Sequence, residues 1–216
     1  FATNQTILDL FAKLKPAVLF KPDEKHEYSN TGYALLASII ERASKKSFGE
    51  YLQETIFKPL KMNHTRVYRR WYKPEKIDNI TQGHIYSDSL KKLVFPDDID
   101  KKYYTVYLDG IVGDGMVNST VGDLLLWDRA LYTDKLVSKK DKELILSSYT
   151  TKDNKPTNYG FGWGISNSEV YGKSVSHSGG WSGYVTYIAR YLDRDYTIIL
   201  LQNVTTEKTE IPQSQI

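Results

Sequence analysis

The 216-residue chain contains no cysteine. That excludes a disulfide framework, a thiol nucleophile and a cysteine-based zinc site together. Histidine is scarce as well. His26, His64, His84 and His177 stand far apart and form no HExxH, so no metal site is expected. No apolar run approaches the ~18 residues that a membrane-crossing helix needs. Neither sign of charge is in excess: 29 Lys and Arg against 26 Asp and Glu leave a formal +3. The cations are scattered, and the densest cluster, Arg69-Arg70 beside Trp71 and Tyr72, reads as a solvated loop rather than a nucleic-acid stripe. The first residue is Phe1, not Met, which leads to the expectation that more protein precedes it and makes the lack of a leader pattern uninformative.

What is present is ordinary globular material. With 40% hydrophobic and 25% charged residues, the chain can bury one good core, or one core and a lobe. Tyrosine is abundant, at 17 residues, which supplies apolar area with a polar tip and suits a cleft or an exposed sheet without naming a ligand.

The first half reads as helical. Ile7, Leu10, Phe11 and Leu14 recur at helical spacing over Thr6 to Lys15, and Pro16 and Pro22 then hold an extended stretch. A second helix is expected after Asn30, a good N-cap, with Tyr33, Leu36, Ala37 and Ile40 on one face. Ser47-Phe48-Gly49-Glu50 has the capping-box pattern of a third, which Pro59 ends. Lys61 to Gly115 is irregular, polar and aromatic, either a site-covering insertion or a lobe of short elements. Helices return after Thr120 and Ser138. After Pro156 the period changes to that of strands, through Tyr171–His177, Val185–Tyr191 and Tyr196–Leu201. The chain is therefore expected to be α+β, mainly helical or irregular over 1–155 with an antiparallel sheet over 156–204, and polar without a clear helix from Thr205 to Ile216.

Three places carry groups suited to chemistry. Tyr28-Ser29-Asn30 precedes a helix, where a phenol, a hydroxyl and a carboxamide can point together into a cleft. A nearby cation would lower Tyr28 below its ordinary value of ~10 and make it a base, whereas Asn30 can equally serve as a helix cap. His177-Ser178-Gly179-Gly180 ends one strand and leads to another. Glycine there allows a substrate backbone close to a strand edge, and a backbone N–H beyond it can serve an oxyanion; a Gly-rich β-turn with an incidental His is the plainer alternative. Gly113-Asp114-Gly115-Met116 fits neither GxGxxG nor the P-loop and reads as a plain loop.

Tyr-x-Asn at a helix start followed about 150 residues later by His-x-Gly on a strand resembles the penicillin-binding-protein-like serine hydrolases, a group that includes class C β-lactamases, D-alanyl-D-alanine carboxypeptidases, D-aminopeptidases and esterases. Phe20-Lys21-Pro22 ahead of Tyr28–Tyr33 is similar to the family's approach to its second motif. Ile56 to Met62 with Thr65 resembles its Pro-Leu-Gly-Met segment, with Lys61 where Gly is usual. Gly113 to Thr120 with Asp123, Tyr159-Gly160-Phe161-Gly162-Trp163, and His177 through Gly183 are similar to the segments that follow.

The resemblance implies a β-lactamase/transpeptidase-like fold whose N-terminal segment is missing, and acyl transfer through a serine ester without a cofactor. The substrate would be a small molecule or peptide: a D-amino-acid peptide, an ester or a β-lactam-like amide. Tyr28 would act as base and then acid, Asn30 would hold the substrate, and His177 would stand where β-lactamases carry Lys. Ser178, Gly179 and Gly180 would line the substrate, with the Gly180 N–H as one oxyanion donor. His at that position ranks a peptidase or esterase above a β-lactamase, and the family suggests the periplasm, the envelope or secretion. The family nucleophile, the Ser of Ser-x-x-Lys, does not precede Tyr28; the only match, Ser89-Leu90-Lys91-Lys92, falls in a polar loop. By itself the fragment is expected to be inactive, and a non-catalytic binding protein that retains the fold is the competing reading.

Overall fold

Hydroxyl caps set the helix starts. In the computed structural model, which describes residues 1–99 and 104–206, Thr3 caps α1 (Asn4–Leu14) and Ser29 caps α2 (Asn30–Ser44). Ser47 and Glu50 form the reciprocal capping box of α3 (Phe48–Leu52), which continues through a π turn, Gln53–Phe57. Short elements follow: β1 (Arg66–Val67), β2 (His84–Ser87), β3 (Lys92–Val94), α4 (Pro96–Ile99), α5 (Tyr104–Tyr107) and β4 (Val117–Asn118). Thr120 caps α6 (Val121–Ala130) and Ser138 caps α7 (Lys139–Ile145). The strands β5 (Gly164–Ser168), β6 (Gly172–Trp181), β7 (Tyr184–Tyr191), β8 (Tyr196–Gln202) and β9 (Val204–Thr206) complete the described chain.

The architecture is α+β. The sheet after Pro156 runs β5-β6-β7-β8 and is antiparallel throughout, as the alternation of its residues leads one to expect. The weakly patterned stretch from Lys61 to Gly115 holds short elements rather than one long loop. There β1 pairs with the more distant β4, and β2 lies between β3 and a parallel β9. The Asp109 carboxylate pins this region by accepting the backbone N–H groups of Trp71 and Tyr72 at 2.7 and 2.8 Å. Of the polar C-terminal stretch, Thr205 and Thr206 belong to β9 and residues 207–216 lie outside the described residues.

Two of the expected helix faces are corrected by the packing. On α1 only the first turn is buried: Asn4 donates from Nδ2 to the carbonyls of Ala34 and Val112, and its Oδ1 accepts the Val112 N–H at 2.8 Å. Ile7 joins the cluster of Ala2, Ala34 and Ile111, whereas Leu10, Phe11 and Leu14 are 50%, 44% and 62% exposed. On α2 the buried face is Ala34, Ala37 and Ser38, and Leu36 points outward. Small residues win that face because two other segments, the start of α1 and the Gly113 loop, approach it closely. Gly113, at φ +104, sits where a Cβ would lie 2.5 Å from Ala37 Cβ and 2.6 Å from the Tyr33 carbonyl oxygen.

A second core, Phe57, Leu60, Met62 and Ala130, joins the π turn to α6. On its sheet side α6 is held by a buried ion pair. The fully buried Asp128 carboxylate accepts Arg190 Nε at 2.5 Å and the Thr197 hydroxyl at 2.9 Å, and Arg129 Nε reaches it at 2.7 Å. The Arg190 guanidinium also lies over the Tyr132 ring, 4.7 Å from its centroid, and 5.9 Å from that of Trp163.

Candidate active site

Tyr28-Ser29-Asn30 bends from extended chain into α2, and the cap differs from the expected one. Ser29 Oγ accepts the Gly32 N–H at 3.0 Å, so Ser29 is the N-cap and Asn30 is the first helical residue. The hydroxyl is shorter and reaches the third N–H from an extended backbone. Asn30 is left exposed, and among the described residues its carboxamide makes no side-chain hydrogen bond. Tyr28 is half-buried, its ring 5.3 Å from that of Tyr33.

His177 faces Tyr28 from β6, with 5.8 Å between ring centroids. The glycines that follow are not a turn: Gly179 and Gly180 continue β6 opposite Thr186 and Val185. Gly179 is required there, since a Cβ would lie 2.5 Å from Thr186 Oγ1. The turn comes later, at Ser182-Gly183, with Gly183 at φ +84. Trp181 and Tyr184 close this two-residue hairpin and so exchange the first hydrogen-bonded pair. Alternation then directs the backbone N–H and C=O groups of His177, Gly179 and Trp181 toward β7, and those of Ser178 and Gly180 toward the opposite edge. On that edge β5 pairs no farther along β6 than Ser176. Beyond it, from His177 to Trp181, no strand pairs with the edge of β6 opposite β7 among the described residues.

The space between α2 and β6 is filled by aromatic side chains that the motif reading did not single out as site residues. Tyr159 Oη lies 3.0 Å from His177 Nε2 and 3.0 Å from Tyr33 Oη. His26 stacks on the Tyr159 ring, with 4.8 Å between centroids. The sequence marks Tyr159 only as the head of the Tyr-Gly-Phe-Gly-Trp run; in the fold it bridges to Gly164 and thereby abuts the strand paired with β6.

These surroundings move Tyr28 opposite to the direction needed by a resting base. Burial pushes its phenol upward from the ordinary 10.0, and Tyr33 and the Asp114 carboxylate push the same way. No cation from this cluster opposes them among the described residues. Tyr159 is pushed upward too, chiefly by burial and then by its hydrogen bond with Tyr33. A phenol held protonated can donate a proton, but it can accept one only if a positive charge is brought beside it.

The other candidates lie apart. Ser89 is on the turn between β2 and β3, where its hydroxyl lies 3.0 Å from that of Ser87. Gly113 packs its loop on α2 as described. Arg69 stacks on Tyr72, and Arg70 lies over Trp71 while pairing with Asp97 at 3.2 Å. A cavity of about 320 Å³ beside α3, lined by Glu41, Phe48, Glu50, Val67, Arg69 and Lys73 among others, contains none of the candidate catalytic or substrate-lining residues. Among the described residues no three His, Cys, Asp or Glu side chains gather to hold a metal ion, and no helix is long and apolar enough to cross a membrane.

Comparison with known proteins places the chain among named relatives. Penicillin-binding protein 4* of Bacillus subtilis (strain 168) is 45% identical to this chain over 213 residues, which is 99% of the chain and 47% of that protein. A putative D-alanyl-D-alanine carboxypeptidase of Escherichia coli (strain K12) is 24% identical over 90% of this chain and 48% of its own length. The chain thus spans about half the length of these curated relatives. Among solved structures, the octameric penicillin-binding protein homologue from Pyrococcus abyssi matches with a TM-score of 0.75 and 28% identity, covering 93% of this chain and 44% of that one. The Beta-lactamase family model matches residues 2–213, and with this match over nearly the whole chain and its α+β architecture, the chain belongs to the Beta-lactamase family.

Proposed function

We propose that this chain carries two of the three active-site elements of a serine acyl-transfer hydrolase acting on a D-amino-acid peptide, an ester or a related amide, with the Ser-x-x-Lys nucleophile lying outside these 216 residues. The observation that carries this reading is the meeting of Tyr28 with His177 across 5.8 Å, beside the stretch of β6 whose edge opposite β7 has no paired strand among the described residues. Tyr28 moves the proton. The serine oxygen adds to the substrate carbonyl while its proton passes to the Tyr28 oxygen; when the adduct collapses, Tyr28 returns that proton to the departing nitrogen or oxygen, leaving a serine ester. Water then repeats the sequence and releases the acid. Asn30 holds the substrate through its carboxamide, and Ser178 and Gly179 line the edge. The Gly180 N–H faces the developing oxyanion, an interaction worth ~3 kcal/mol in the transition state.

Tyr28 needs help for this role, because burial, Tyr33 and Asp114 all favour its protonated form. The lysine of Ser-x-x-Lys has the required charge. At about 4 Å and an effective dielectric of about 20, it contributes ~4 kcal/mol, or about three pKa units. His177, in the place where β-lactamases carry Lys, favours peptidase or esterase activity over β-lactam hydrolysis. The likeness to a penicillin-binding protein supports action at the cell envelope or outside the cell.

The test is covalent labelling of the full-length protein with a fluorophosphonate, followed by peptide mapping. A single label on a serine outside this chain, lost in Tyr28→Phe, is the expected result. A label on Ser89 would relocate the nucleophile. No label on the folded protein would replace the enzyme reading with that of a binding protein that keeps the fold.

A further inference from the structure

The geometry points to Tyr159, backed by Tyr33, as a positioning residue that fixes His177 in one tautomer, with its proton on Nδ1 and its lone pair on Nε2. Nδ1 lies 2.7 Å from the Ser178 carbonyl oxygen. A carbonyl only accepts, so Nδ1 must be the donor there. A neutral imidazole then presents a lone pair at Nε2, where Tyr159 Oη stands at 3.0 Å, so the Tyr159 hydroxyl donates to it. The Tyr159 oxygen in turn accepts the Tyr33 hydroxyl at 3.0 Å. The hydrogen bonds run in a single direction, from Tyr33 to Tyr159 to His177 to the Ser178 carbonyl.

The groups facing the imidazole come from each packed element: Tyr28 ahead of α2, Tyr33 on α2, Tyr159 with His26 stacked on it, and the Ser178 carbonyl on β6. Among the described residues the ring and hydrogen-bond contacts of His177 are to phenols and a carbonyl, not to a carboxylate. The opposite tautomer would place a lone pair against the Ser178 carbonyl at 2.7 Å, a repulsive contact.

This assignment rests on the proposed acyl-transfer site and deepens it. Both ring nitrogens of His177 are engaged within the chain. The imidazole therefore acts as a strut that ties the Ser178 carbonyl, on the edge that carries Gly180, back to α2 through two phenols. Tyr159 touches no reacting atom in this scheme; it acts through His177.

The experiment is imidazole nitrogen NMR on the full-length protein with 15N-histidine, the His177 signals being identified by their loss in His177→Gln. The expected wild-type pattern at neutral pH is a protonated-type Nδ1 and an unprotonated-type Nε2. Tyr159→Phe keeps the ring and removes the donor. His177 should then show Nε2 protonation or an exchange average, and the fluorophosphonate labelling rate should fall about tenfold, the scale of one hydrogen bond. Tyr33→Phe leaves Tyr159 able to donate and should keep the Nδ1–H pattern. A wild-type Nε2–H tautomer would overturn the assignment, and so would an unchanged pattern in folded Tyr159→Phe. Because the tautomer is read without turnover, the two proposals fail separately. An Nδ1–H pattern without any labelled serine defeats only the enzyme reading, and normal labelling with the wrong tautomer defeats only this one.

Discussion

Replacing Asp128 with Ala should be among the most damaging single changes in this chain. The carboxylate is fully buried and serves three donors: Arg190 Nε at 2.5 Å, the Thr197 hydroxyl at 2.9 Å and Arg129 Nε at 2.7 Å. Arg129 is largely exposed and recovers water, so its share of the loss is small. Arg190 is 2% exposed and has no such escape, because its guanidinium lies under Tyr132 and beside Trp163. Breaking a buried pair by removing one partner costs about 3–5 kcal/mol, most of it the uncompensated charge. In a domain of this size that is a fall in melting temperature of roughly 6–20 °C. Thermal and urea unfolding of the full-length protein measure it. The decisive control is Asp128→Leu with Arg190→Met, which removes both charges and should regain most of the loss. A cost below ~1 kcal/mol for Asp128→Ala, or a double variant no better than the single, would refute the argument that an unpaired buried cation is the source.

Other outcomes follow from named contacts. Ser29→Ala should lower stability by ~1 kcal/mol through loss of the α2 cap, whereas Asn30→Ala should leave urea unfolding nearly unchanged and act on fluorophosphonate labelling or turnover. Gly113→Ala meets both a φ of +104 and the Ala37 Cβ at 2.5 Å, so it should cost at least ~2 kcal/mol by the same assay. Tyr159 is shifted upward from 10.0, so its contribution to stability is complete below pH 10 and is lost as pH rises beyond that. Melting temperatures between about pH 9 and 11 should therefore fall more steeply for the wild type than for Tyr159→Phe. Gly179→Ala should slow labelling at least tenfold by driving Thr186 Oγ1 and β6 apart, and adding Thr186→Ala should restore the rate, because the next atom, Thr186 Cβ, would be at an ordinary 3.8 Å.

Local signals in the sequence located the elements well, because caps and strand alternation are local physics. Thr120, Ser138 and the Ser47–Glu50 box each open a helix where their residue types lead one to expect. Faces were harder to read. The apolar stripe of α1 suggests a long buried contact, yet one amide, Asn4, satisfying three backbone groups of two other segments decides that only the first turn docks. The Ser29–Asn30 pair shows the same limit on a smaller scale. Both residues are good caps, and which one serves depends on where the extended segment hands over to the helix.

The site divides along the same line. Tyr28, Asn30 and His177 stand in short motifs that can be read in place, whereas what fixes them is long-range and polar. Tyr159 lies 126 positions from Tyr33 and 18 from His177, and its tyrosine is one of 17, so composition gives no reason to choose it. Asp128 and Arg190 are 62 positions apart, and each alone reads as a surface charge. The two networks also meet. Arg190 stacks over Trp163, the last residue of the run that Tyr159 begins. Loosening the ion pair should therefore disturb the seat of Tyr159 before it unfolds the sheet, and Asp128→Ala examined well below its melting temperature should already show a mixed His177 tautomer. If the imidazole keeps a pure Nδ1–H pattern there, the aromatic cluster is held by α2 alone and the ion pair serves stability without reaching the site.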